Sequence, residues 1–253
     1  MERFRKQRFR NQIIWSDVFN WTMSFRRNAD IQFFYGLIRK RRTPRTRDYL
    51  AITKKKTKMA AWMVSVGNAQ SKRDDYVQLL EDSGVVVDHI GRGRRFQCPR
   101  DNDTRCREML NQYKFYVSFE NSFYDSYITE KFFKNFNLDL ILIARGIEQY
   151  PIVAPSDIFL NTLSFNSPKD LADKIKYLSS NDDAYAEMLR KKDEYFSIYE
   201  DHYLSNNYLE TRYEEVSMCQ ICQRVWNLDK YSKVVPDIDK WFIETKAHLP
   251  TDV

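Results

Sequence analysis

The chain has 253 residues and a mass of 30.5 kDa, with 43% hydrophobic and 15% aromatic residues and only 6 glycines. This composition excludes a disordered or fibrous protein and allows one large core or two modest ones. The net charge of +6 is uneven: residues 1–58 carry 17 Lys/Arg against 4 Asp/Glu, leaving 24 against 31 for the remainder.

Such a basic front suits nucleic acid, an anionic membrane surface or a phosphorylated ligand, and equally a solvated face. No run approaches the roughly 18 apolar residues of a spanning helix, and the start "MERFRKQRFR" lacks the apolar segment of a signal peptide. Any membrane address is therefore expected outside this chain.

In chain order, "RKRRTPRTRDYLAITKKKTK" (39–58), with Pro44, reads as an exposed basic connection. "MAAWMVSVG" (59–67) has the length and apolarity of a strand. Residues 71–82 place Tyr76, Leu79 and Leu80 at helical spacing, and Gly84 punctuates before the strand "VVVDHI" (85–90). A loop with Cys98 and Cys106 follows. The strand "YKFYVSFE" (113–120), the helix "TEKFFKNFN" (129–137) and the buried strand "LDLILIA" (138–144) make a second β-α-β unit, ended by Arg145 and Gly146. Ser167-Pro168 opens a helix carrying Leu171, Ile175 and Leu178. A second helix follows the Asn181-Asp182 break in a stretch that runs to "EYFSIYE" (194–200), and residues 208–249 read as helical. Successive β-α-β units predict an α/β fold, a doubly wound, mostly parallel sheet of Rossmann type.

Ligands of open parallel sheets sit beyond the carboxyl ends of the strands, where helix N-termini present N–H groups to anions. Lys72 and Arg73 fall at one such edge; Glu120, Asn121, Tyr124, Tyr127, Thr129, Glu130 and Lys131 fall at the next. A cation at each of two adjacent crossings suits a diphosphate, although neither a dinucleotide fingerprint nor a P-loop is present. Each residue also has a plain structural use: Thr129 as a cap, Glu130 facing the helix dipole, the tyrosines as packing. Cys219-Gln-Ile-Cys222 has the spacing of half a zinc site, but no second half follows, so a structural disulfide is the expectation and no metal site is assigned. Asp101-Asn-Asp103 is a weak metal candidate. Asn20-Trp-Thr22 and Asn102-Asp-Thr104 are N-glycosylation sequons.

The segment "YKFYVSFENSFYDSYITEKFFKN" resembles the signature of the α1,3-fucosyltransferases, F-x-F-E-N-S followed by Y-I-T-E-K. "FNWTMSFRRNADIQFFYG" (19–36), "VSVGNAQSKRDDYVQLLEDSGVVVDHIGRG" and the closing "MCQICQRVW" are similar to further segments of that family, so the resemblance covers about 210 residues. It implies a GT-B-like fold with two facing Rossmann-type domains, of which this chain keeps the donor domain and only a remnant of the N-terminal acceptor domain. The corresponding division is 1–50, acceptor remnant and basic linker; 51–205, GDP-fucose-binding domain; and 206–253, a C-terminal helical segment with the C-x-x-C.

The activity implied is inverting transfer of L-fucose from GDP-fucose to N-acetylglucosamine of glycoprotein glycans. By the resemblance Arg73 and Lys131 match the family's phosphate-binding cations and Glu130 contacts donor sugar or ribose. Those three form the catalytic set, and Asn121 and Tyr127 complete the donor contacts. No tightly bound cofactor is implied; manganese is compatible but not required. The partners implied are GDP-fucose and a glycan acceptor on glycoprotein or oligosaccharide, without nucleic acid, on the lumenal side of the Golgi, with membrane contact only through a segment outside this chain. The cysteines and sequons suit that oxidising compartment.

The sequence departs from the family pattern at Asn28, Ala29 and Phe34, in "LDLILIARG", and in "FLNTLSF" (159–165). The family's proposed general base belongs to the part expected ahead of Met1. A GDP-fucose-binding chain with impaired catalysis is thus the alternative reading.

Overall fold

The computed structural model describes residues 15–64, 67–91, 103–146, 154–199, 217–243 and 252. They belong to two compact units, residues 1–33 with 213–246 and residues 34–212 with 247–253. The smaller unit opens with the short strands β1 (Ser16–Phe19), β2 (Met23–Ser24) and β3 (Ile31–Gln32). The larger unit runs β4 (Gly36–Lys40), α1 (Tyr49–Lys54), β5 (Lys58–Met63), α2 (Arg73–Asp82), β6 (Val87–Ile90), α3 (Asp103–Leu110), β7 (Tyr113–Phe119), α4 (Glu130–Phe136), β8 (Ile141–Arg145), β9 (Leu160–Asn161), α5 (Pro168–Ser180), α6 (Asp182–Lys192) and β10 (Tyr195–Tyr199). The chain then returns to the smaller unit with α7 (Ser217–Val225), α8 (Leu228–Tyr231), β11 (Val235–Asp237) and α9 (Ile238–Ile243).

Five parallel strands form the central sheet in the order β6-β5-β7-β8-β9. All seven residues of β7 are buried, as both faces of the sheet are covered. On one face α2, α5 and α6 bury Tyr76, Val77, Leu80, Leu171, Ile175 and Tyr185 against Phe115, Val117 and Phe119. On the other, Phe132, Phe133 and Phe136 of α4 pack on Tyr116, Leu142 and Phe159. Ser167 caps α5, with Pro168 in its first turn, and Asn181 caps α6. The sheet reverses direction between β5 and β7: the chain leaves β5 toward β6 on one side, then crosses back to place β7 on the other. Such a switch point opens a crevice at the carboxyl ends of the two strands.

The alternation read from the sequence holds through this unit, with two differences. Residues 195–199, placed at the end of a helical segment, form β10, which pairs antiparallel with β4. Gly36 lets β4 approach α4: a Cβ there would lie 2.6 Å from the Phe133 Cβ and 2.8 Å from the Ile198 carbonyl oxygen.

The basic run 39–58 is also more structured than a connection. It holds the end of β4 and all of α1, and Arg47 forks onto Asp139 at 2.8 and 2.6 Å. Asp193 accepts from Tyr49 Oη at 3.0 Å, while its carbonyl accepts from Arg41 Nε at 2.9 Å. Beside them the buried Lys192 donates to the Leu138 carbonyl at 2.6 Å, and burial pushes its ammonium down to about 7. This cluster sits at the amino ends of the strands, away from the switch-point crevice.

In the smaller unit β1 pairs antiparallel with β11, and β2 runs parallel to β3. Asp30 accepts from Thr22 N and Oγ1 at 3.0 and 2.9 Å and from Lys233 Nζ at 2.5 Å, and Arg26 stacks 4.2 Å over Trp241. Cys219 and Cys222 stand one turn apart on α7 and are not bonded to each other. The helical reading of 208–249 is interrupted by β11; residues 208–216 and 244–249 lie outside the described residues, as do Cys98, Asp101 and Asn102. Among the described residues no helix is long and apolar enough to cross a membrane.

Candidate functional site

The polar residues read from the sequence gather at the carboxyl ends of β5 and β7, on the two sides of the switch point. β7 is a fully buried strand, apolar or aromatic except for Lys114 and Ser118, that runs into a carboxylate. Glu120 is fully buried, and its backbone N–H donates to the Arg145 carbonyl of β8 at 3.0 Å, which keeps it in the sheet one residue beyond the strand. Its side chain reaches nine residues ahead to the start of α4. Thr129 N and Oγ1 donate to Oε1 at 2.8 and 3.0 Å, Thr129 Oγ1 lies 2.8 Å from Oε2, and Lys131 Nζ lies 3.3 Å from Oε2. Burial raises the Glu120 carboxyl above its ordinary value, opposed by the Lys131 charge and the Thr129 donors.

Lys131 is held from three sides. Its ammonium donates to Thr129 Oγ1 at 3.0 Å and approaches Glu130 Oε1 at 3.5 Å in addition to Glu120, while the side chain keeps 23% of its surface exposed. Thr129 caps α4, so the cation stands over a helix N-terminus whose N–H groups also favour an anion. Glu130, in the first turn, is exposed.

Across the crevice Lys72 takes a left-handed conformation (φ 47°) and begins α2, and Arg73 is the first residue of the helix. Arg73 is buried; its Nη1 donates to Asn121 Oδ1 and to the Phe119 carbonyl at 3.4 Å, and the guanidinium lies 5.9 Å from the Trp62 ring. Burial pulls its guanidinium below the ordinary value. Ser71 clamps the two crossings together: its Oγ donates to the Glu120 carbonyl at 2.6 Å, and its N–H to the Asn121 carbonyl at 3.1 Å. Tyr127 packs edge-on against Tyr124 at 6.2 Å and Tyr35 at 6.3 Å, and burial pushes its hydroxyl up.

Of the five residues singled out in the sequence, Arg73 and Asn121 are therefore in direct contact, as are Glu130 and Lys131. Tyr127 belongs to an aromatic wall on the same connection. The residue that ties the two groups together is Glu120, which reading the sequence placed in the cluster but gave no task. The signal was a carboxylate ending an otherwise apolar strand. Among the described residues no group of three or more His, Cys, Asp or Glu side chains could hold a metal ion.

Comparison with known proteins decides the family. The family profile described as "Glycosyltransferase family 10 (fucosyltransferase) C-term" matches residues 53–241. The chain belongs to glycosyltransferase family 10. It is 30% identical over 244 residues to "Alpha-(1,3)-fucosyltransferase fut-1" of Caenorhabditis elegans, covering 92% of this chain and 54% of that protein. It is 30% identical over 239 residues to "Glycoprotein 3-alpha-L-fucosyltransferase A" of Drosophila melanogaster, covering 89% and 43%. The human "4-galactosyl-N-acetylglucosaminide 3-alpha-L-fucosyltransferase 9" is 30% identical over 227 residues, covering 89% and 58%. The chain thus spans about half the length of these relatives.

A solved structure, "Crystal Structure of alpha1,3-Fucosyltransferase with GDP-fucose", superposes with a TM-score of 0.51 at 23% identity, over 74% of this chain and 51% of that one. The α/β, GT-B-like fold expected from the sequence is the fold found. Family membership makes the chain one of a group of glycosyltransferases.

Proposed function

We propose that the chain is the donor-binding part of an inverting α1,3-fucosyltransferase, which moves L-fucose from GDP-fucose to N-acetylglucosamine of glycoprotein glycans. The observation that carries this reading is the pairing of two cations, Arg73 and Lys131, with Asn121 and an α-helix N-terminus at the switch point of the sheet. In a single displacement the acceptor hydroxyl bonds to fucose C1 as the bond from C1 to the β-phosphate oxygen breaks. Negative charge grows on the departing GDP, and fixed cations and N–H donors there lower the barrier. Arg73 and Lys131 supply those cations, Asn121 and Tyr127 frame the donor, and Glu130, exposed beside Lys131, faces the sugar or ribose.

The donor is supported by the α1,3-fucosyltransferase structure solved with GDP-fucose, to which this chain is similar. The division of the chain into an acceptor remnant (1–50), a donor domain (51–205) and a helical C-terminal segment (206–253) belongs to the same reading. So does a lumenal Golgi setting, which suits the disulfide-bonded Cys106 and the exposed Asn20 of the first sequon. No tightly bound cofactor is needed, and a divalent cation such as manganese is compatible with the reaction but not required by it.

One observation favours the alternative, a chain that binds GDP-fucose without turnover. Glu120 is buried and committed to Thr129 and Lys131, so it does not face an acceptor as a general base. Incubation with GDP-fucose and oligosaccharides ending in N-acetylglucosamine tests both readings. Fucosylated product supports the enzyme, GDP binding without product supports the binding chain, and neither by a folded chain contradicts both.

Arg73 Nη1 donates both to Asn121 Oδ1 and to the Phe119 carbonyl, and the rest of the guanidinium presents a planar set of N–H groups that a lysine ammonium lacks. Arg73→Lys is expected to weaken GDP binding about fivefold to tenfold, the net cost of about one ordinary hydrogen bond. Titration calorimetry measures this, and an unchanged affinity would remove Arg73 from the phosphate site.

A further inference from the structure

A second charged residue ends a buried strand at the same edge. Arg145 closes β8 and is only 1% exposed, with its guanidinium 4.1 Å from the Tyr76 ring and 5.1 Å from the Phe123 ring. A guanidinium in an aromatic niche is costly unless an oxyanion answers it. Here the answer is Asp252, 107 residues away in sequence: Nη1 and Nη2 lie 2.5 and 2.7 Å from its two carboxylate oxygens. The pair is lopsided, because the Asp252 side chain is 35% exposed. Arg145 also holds the Asp252 carboxyl below its ordinary value. Arg145 Nε, likewise buried, has no hydrogen-bond partner among the described residues. Nor has Thr162 Oγ1, which follows the Asn161 that opposes Ala144, the neighbour of Arg145.

The niche borders the candidate donor site on two sides. Tyr76 lies one turn beyond Arg73 on α2, and Phe123 lies on the connection that carries Asn121 and Tyr127. The Arg145 carbonyl accepts from Glu120 N. A planar guanidinium fork takes a phosphate in the same two-point manner as a carboxylate.

We propose that Arg145 is an oxyanion seat of the donor edge, taking a phosphate group, and that Asp252 fills this seat when no phosphate is bound. The proposal rests on the donor reading above and adds to it a residue and a competition. Phosphate reaches the seat only in the fraction of molecules from which Asp252 has departed, so its apparent affinity is reduced by that fraction.

The test is calorimetry of the full chain, Asp252→Asn and Asp252→Ser, each with GDP and with inorganic pyrophosphate, and with thermal melts confirming the fold. Neutralising Asp252 is expected to tighten both ligands about fivefold to tenfold as the seat opens, and adding Arg145→Lys to Asp252→Asn should abolish the gain. Folded Asp252 variants with unchanged or weaker affinity for both ligands would overturn the proposal, leaving the pair as a structural tie. Two mixed outcomes separate the claims. Tightened pyrophosphate without any GDP binding supports the seat but contradicts the donor reading. Wild-type GDP binding with neither ligand tightened supports the donor reading but contradicts the seat.

Discussion

Replacing Glu120 with alanine is expected to cost about 3–5 kcal/mol of stability, the range for breaking a buried ion pair by removing one partner. The carboxylate answers the Thr129 N–H and hydroxyl and the Lys131 ammonium at once. Its loss leaves the backbone N–H of Thr129, the N-cap of α4, without an acceptor and opens a void beneath the two crossings. For a unit of this size that corresponds to a fall in melting temperature on the order of 10 °C. Glu120→Gln should cost less, because an amide oxygen still accepts from Thr129 while the charge opposite Lys131 is gone. Thermal denaturation of the three chains measures the ranking; an alanine variant that melts with the wild type would mean that Glu120 does not organise this edge.

Much of the larger unit was legible because its elements obey local rules. Met59 to Met63 and Ile141 to Ala144 are apolar runs of strand length, Tyr113 to Phe119 is one broken only by Lys114 and Ser118, Tyr76 and Leu80 mark a helix face, and Gly84, in the left-handed region at φ 88°, ends it. The order of the strands was not legible. Nothing in β5, β6 or β7 states which neighbour each takes, yet that order brings Arg73 and Asn121 together at one edge of the sheet.

Residues 195–199 read as helix because "EYFSIYE" follows α6 without a Gly or Pro, and only pairing with β4 reveals a strand. Gly36 to Lys40 was obscured in turn by the basic run it leads into. At the site, the cations and Asn121 could be found because they stand where strands meet helices. The tasks of Glu120 and Arg145 could not, because their partners lie nine and 107 residues away. A charged residue closing an apolar strand is the one local trace that both share.

Lys131 carries the second large effect. It is the cation that Glu120 and Thr129 aim over the start of α4, and it keeps part of its surface exposed. A phosphate there gains the ammonium and the positive end of the α4 dipole together. Lys131→Ala removes the charge and leaves the Glu120 carboxylate to repel the ligand, so GDP should bind at least about tenfold to a hundredfold more weakly, as expected for lost charge-assisted bonds. Lys131→Arg should retain part of the affinity, since it keeps the charge but not the compact geometry.

Calorimetric titration of the purified chain and of Lys131→Ala with GDP, below the melting temperature of both, tests the donor-site claim most directly. Roughly micromolar binding to the wild type, lost in the variant, is the expected result. A folded wild-type chain that does not bind GDP, or a variant that binds it equally well, would contradict a donor site built on Lys131.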